Sequence, residues 1–198
     1  MIPREGLFAA MHPRYFELSD DVTLSGRWHL DDPVDAQGHE LEDPRLFNRG
    51  QSVQVEGRLR IPVEHPGQAL DFTQTALLVP VVHVRVAKLF AELAPEDVQL
   101  IPADIEGQPD QFLVLVATKR IRCIDEQRSQ VQFWTADDGV PEKVGKYYAV
   151  DDLHIDTTQV GSAKVFRPEG WAGTLIVSED LKHALERLRA TGVRFTPV

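Results

Sequence analysis

The stretch "DDLHID" holds three side chains with the chemistry of a metal site, Asp152, His154 and Asp156. Side chains alternate faces along a strand, so this spacing puts two carboxylates and an imidazole on one face, where they could grip a divalent ion. One strand rarely supplies a whole site, and the same pattern suits an exposed polar face with a salt-linked His and Asp. The second candidate is Cys123 in "RIRCID", the single cysteine of the chain. Its alternating neighbours suit a buried, inert strand position, although Lys119, Arg120 and Arg122 could lower its pKa and leave a reactive thiol. No G-x-S-x-G elbow offers a nucleophilic serine, and no glycine-rich turn feeds a helix start to cradle phosphate. We therefore assign no catalytic residue, no metal ligand and no cofactor. A metal-dependent enzyme using Asp152, His154 and Asp156 stays as the alternative.

Charge carries more information. The formal net charge is −10, and a surface of that sign repels nucleic acid, whose binding depends on Lys and Arg. The acid is unevenly placed: Asp31, Asp32, Asp35, Glu40, Glu42 and Asp43 stand in one run without a Lys or Arg among them. A solvated loop explains such a run, and so does a negative face for a basic protein partner, where complementarity raises on-rate and specificity. The lone cysteine excludes an internal disulfide and suits a reducing compartment such as the cytoplasm. No run approaches the ~18 apolar residues of a membrane span, and the first residues lack a signal peptide pattern.

The elements that must position these groups are mostly strands. "RYFEL" alternates from Arg14 to Leu18, and "SVQVEGRLRI" alternates from Ser52 to Ile61 with a bend at Gly57. "QFLVLVATKRIRCID" reads as one long apolar strand, central in its sheet. Val86, Leu89, Phe90 and Leu93 form the stripe of an amphipathic helix over about 84–94, ended by Pro95. A second helix is expected over about 179–191. Ser178 is its N-cap, Leu181, Ala184, Leu185 and Leu188 its apolar stripe, and Gly192 its left-handed stop. Trp134 is expected to face the core; Trp28 and Trp171 are expected there too, with part of each ring exposed. The class is α+β, a β-rich mixed or antiparallel sheet with two main helices. Residues 1–10 read as an arm, 11–70 as a β-rich part and 71–198 as an α+β domain, or 11–198 as one continuous domain.

The ordered set "CID", "YYAVDDLHID", "VFRPEGWAGTLIVSEDLKHAL" and "TGVRFTPV", with "RYFELSDD" and "GRWHL" near the start, resembles the bacterial immunity proteins of polymorphic toxin systems, immunity family eleven. The resemblance runs from Met11 onward. It implies a cytoplasmic antidote that binds and occludes a toxin encoded by an adjacent gene, without catalysis. The matching residues Cys123, Ile124, Asp125, Phe166, Arg167, Trp171, Ser178 and Gly192 look like fold signatures, so no contact site transfers with them. The acidic run remains the candidate partner-binding surface, able to mimic phosphates if the toxin is a nuclease. A self-associating structural protein is the third reading, and the oligomeric state is open.

Overall fold

The computed structural model describes residues 14–198; the expected 1–10 arm lies outside them. The chain opens with β1 (Tyr15–Asp20) and β2 (His29–Leu30), then crosses a long connection to β3 (Leu59–Ile61) and β4 (Val63–His65). Next come β5 (Phe72–Gln74), β6 (Pro80–His83), α1 (Val84–Leu93), β7 (Val98–Ile105), β8 (Phe112–Ala117) and β9 (Arg120–Ile121). The last part holds β10 (Gln130–Phe133), β11 (Tyr147–Asp151), β12 (Val165–Pro168), β13 (Ile176–Ser178), α2 (Glu179–Leu188) and β14 (Val193–Pro197).

Two five-stranded mixed sheets form the frame, in the orders β14-β1-β13-β12-β9 and β3-β7-β8-β6-β5. Their neighbours run antiparallel except β9 with β12 and β3 with β7. This is the expected α+β class with two helices. Alternation shows why both sheets are covered on both faces. On β8, Leu115 and Ala117 enter one core, while Val114 and Val116 enter another on the opposite face. The first core is shared: Phe16, Leu18, Val165 and Val177 of one sheet meet Phe72, Val82 and Leu115 of the other, with Phe90 of α1 and Leu181 and Leu185 of α2 between them. The connection between β2 and β3 covers the far face of the second sheet through Phe47 and Val53. Cys123, Ile155, Val160 and Ala163 cover the far face of the first, against Tyr15, Phe166 and Ile176.

Several expectations change. The apolar run after Gln111 is two strands in different sheets: β8 ends at Ala117, and β9 pairs with β12 across the molecule. The expected strand over 52–61 shrinks to Leu59–Ile61. The Val53 backbone is satisfied by the Gln99 side chain instead of a ladder, at 2.8 Å to its N–H and 2.9 Å to its carbonyl. Ser178 sits at the N-cap of α2 with extended backbone, but its hydroxyl donates to Asp180 Oδ1 and accepts nothing from the first turn. The left-handed stop is Arg189, at φ 53°, so the helix ends at Leu188. Trp28 is in the core, where its Nε1–H donates to the Thr73 hydroxyl at 2.8 Å. Trp134 is not: it is half-buried on the β10–β11 hairpin, edge-on to Tyr148 and beneath the Lys143 ammonium.

Candidate partner-binding site

The acidic run folds into an ordered loop held mainly by the carboxylates of Asp32, Asp35 and Asp43. Val34 bridges to Arg60 of β3 on one side and to Glu40 on the other, which closes a small turn. Asp35 organises that turn: its Oδ1 accepts from the amides of Gln37 and His39, each at 2.8 Å. These bonds, the His39 amide first, hold the Asp35 carboxyl below its usual range. Asp32 anchors the loop to the β5–β6 turn by accepting from the Thr75 hydroxyl at 2.5 Å and the Leu77 amide at 3.1 Å. Asp43 caps the 3-10 turn Pro44–Asn48, accepting from the Arg45 amide at 3.0 Å while it pairs with the Arg49 guanidinium.

Of the others, Asp31 Oδ1 accepts from the neighbouring Asp32 amide at 2.8 Å, and Glu40 and Glu42 make no side-chain hydrogen bond among the described residues. Asp31, Glu40 and Glu42 are exposed, and none of them forms an ion pair among the described residues. Asp31, Asp32, Glu40 and Glu42 line one recess of about 360 Å³, floored by Pro33, Val34 and Leu41. Asp35, Glu42 and Asp43 line the adjoining groove of about 550 Å³, which adds Glu56 and Arg49. The structure thus gathers the six sequence candidates into two neighbouring depressions. It adds Glu56, which the chain pattern had merged with an expected strand. Exposed carboxylates over apolar floors suit Lys and Arg side chains, whose stems are apolar and whose heads are cationic.

The metal candidates are not brought together. β11 ends at Asp151, and Asp152 turns the chain at φ 47°, so the alternation assumed for Asp152, His154 and Asp156 is broken. Asp152 Oδ2 lies 3.8 Å from His154 Nε2, while Arg128 Nη2 lies 3.4 Å from His154 Nδ1 and opposes a cation there. Asp156 instead caps the turn Thr157–Gln159, accepting from the Thr158 amide and hydroxyl at 3.0 and 2.7 Å. The described residues contain no group of three His, Cys, Asp or Glu side chains placed to hold a metal. Cys123 is buried, and burial followed by the nearby Asp156 charge pushes its thiol up to about 11; the neighbouring bases do not lower it.

One surface had no signal in the sequence reading. The β10–β11 hairpin exposes Phe133 and Tyr148, with Phe133 stacked on Tyr147 at 5.2 Å between ring centres. Burial and then a 2.6 Å bond to Glu126 push the Tyr147 phenol up to about 12, so it stays a donor.

The model of the immunity protein family Imm11 matches residues 9–198. The chain belongs to the Imm11 family. A search of curated proteins gives no match. Three of the residues that carried the Imm11 resemblance have a structural role visible in the fold. Phe166 is fully buried, Asp125 accepts from the amides of Gln127 and Arg128 at 3.1 and 3.2 Å, and Arg167 lies inside the protein. No helix among the described residues of this Imm11 protein is long and apolar enough to cross a membrane.

Proposed function

We propose that this Imm11 protein is an antidote that binds a cognate toxin encoded beside it and occludes the toxin's working surface in the cytoplasm, without making or breaking a covalent bond. The observation that carries the reading is the family match over residues 9–198. The acidic double recess supports a surface for it: Asp31, Glu40 and Glu42 are exposed and free of ion pairs among the described residues, on a loop that Asp32, Asp35 and Asp43 already hold in place. A preformed negative face steers a basic partner and loses little entropy on docking. An interface of ordinary size, ~800 Å² per partner, would extend beyond both recesses.

The division of labour sets the test. Replacing Asp31→Asn, Glu40→Gln and Glu42→Gln together removes three charges, spares Asp32, Asp35 and Asp43, and keeps an amide oxygen at position 31 to accept from Asp32. It is expected to weaken toxin binding by ~10–100-fold, mostly through a slower on-rate, as for removed rim charges. Protection of cells expressing the toxin should fall in parallel. Stopped-flow association at two salt concentrations checks this. Unchanged on-rate and unchanged protection would remove the loop from the interface.

A further inference from the structure

Arg167 is a large cation with no exposed surface and no carboxylate partner among the described residues. Its three hydrogen bonds go to neutral oxygens: the carbonyls of Ala172 and Gly173 at 2.8 and 3.0 Å, and Asn48 Oδ1 at 2.8 Å. Its Nε has no partner among the described residues. A buried, unneutralised guanidinium is costly, and burial lowers its pKa to about 9. Asn48, Ala172 and Gly173 are also wall residues of an open cleft of about 600 Å³. The buried charge therefore lies directly behind that wall. Arg45 and Arg49 stand on the cleft as well, beside Ala76, Leu77 and Leu78. Asp43, which also lines the cleft, offsets Arg49, and Asp32 accepts from the Leu77 amide without lining the cleft. Arg45 forms no side-chain hydrogen bond or ion pair among the described residues, and with the buried Arg167 it leaves the cleft positive in a chain of net charge −10. Leu78 adds a second sign: it is held at φ 61°, a backbone region unfavourable for leucine, and 44% exposed on the cleft. Strain of that kind persists only where surrounding structure enforces it.

We propose that this cleft binds a carboxylate carried on a short apolar stem, with Arg45 grasping the anion, Arg167 supplying field through Asn48, and Leu77 and Leu78 covering the stem. Planar guanidinium groups match a carboxylate in bidentate geometry, and the apolar walls disfavour a fully hydrated inorganic anion. The guest is either a free organic acid or an Asp or Glu side chain presented by a partner. The site itself does not depend on the toxin reading.

Butyrate titrated into the full chain, followed by amide shifts of Leu77, Ala172 and Gly173, tests the proposal. A saturable response near ~1 mM is expected, the affinity of one charge-assisted pair with a few buried methylenes. Butylamine should give no response, and Arg45→Gln should weaken butyrate by ~10-fold. No saturation, equal shifts with butylamine, tighter binding of inorganic phosphate, or unchanged affinity in Arg45→Gln would each overturn it. Arg45 is exposed and bonds to nothing through its side chain among the described residues, so this variant should keep the fold. Saturating butyrate that weakens a toxin complex assigns the guest to a toxin side chain, and a complex indifferent to butyrate assigns it to a free acid; both keep the site. Absence of any toxin complex would sink the antidote reading and leave the butyrate result standing.

Discussion

Asp97→Ala is expected to cost about 3–5 kcal/mol of folding stability, the range for breaking a buried charged network on one side. Asp97 is 4% exposed and sits between α1 and β7, at the end of the second sheet. Its Oδ2 accepts from the amides of Lys164 and Val165, at 2.6 and 3.2 Å, where β12 enters the first sheet. Its Oδ1 pairs with Lys119 at 2.5 Å, on the short crossing from β8 to β9. One carboxylate thus ties the two sheets where the chain passes between them. Alanine would leave two amide donors without their acceptor, one of them buried, and each such loss costs ~1–3 kcal/mol. Asp97→Asn keeps an acceptor but drops the charge facing Lys119, which is 37% exposed and can turn to water. It should lose about half as much. Urea unfolding at constant m separates these outcomes. A loss below ~1 kcal/mol for Asp97→Ala would show that the sheets do not rely on this link.

Gly192→Ala is expected to cost a similar amount, about 3–5 kcal/mol, for a different reason. Gly192 has φ 83°, and a Cβ there would overlap the Phe72 carbonyl oxygen and lie 3.0 Å from Leu70 Cβ. Backbone atoms cannot step aside as a flexible side chain can, so the turn must move. That turn is fastened on both sides. The Gly192 carbonyl accepts from Asp21, and the Thr191 carbonyl accepts from Phe72. The Thr191 amide and hydroxyl both donate to Asp71 Oδ2 at 2.8 Å. Burial raises the Asp71 pKa, but bonds from Arg85 and Thr191 outweigh it and hold the carboxyl below its usual range. Gly107→Ala is the comparison, because Gly107 has φ 72° with open space around it and should lose only ~1 kcal/mol. Equal losses at the two glycines would mean that backbone strain alone, not close approach, sets the cost at Gly192.

Both residues show what a sequence can and cannot disclose. Gly192 announces itself as a glycine after a helix, yet its reason is a carbonyl from β5, far away in the chain. The two helices were legible because their apolar stripes repeat at the helical period, β1 because its residues alternate, and β8 because it is an unbroken apolar run. The switch between sheets after Ala117 was not legible, since an apolar strand looks the same whichever sheet receives its continuation. Composition revealed the acidic loop. It could not separate Asp32, tied to Thr75, from Glu42, tied to nothing among the described residues, because long-range contacts decide which carboxylates are spent. Arg167 was visible only as one letter of a family signature. Its burial without a counter-charge depends on Asn48 and the Ala172–Gly173 backbone converging on it.

The central claim is that the protein works by stoichiometric cover and not by chemistry. The direct measurement is titration of the purified chain against a fixed amount of the proposed cognate toxin, with residual toxin activity as the readout. The account predicts a linear fall to zero at a fixed molar ratio, with a tight complex recovered intact at the end point and active toxin released when the complex is dissociated. A trace of this protein silencing a molar excess of toxin, or no complex at any ratio, would contradict it.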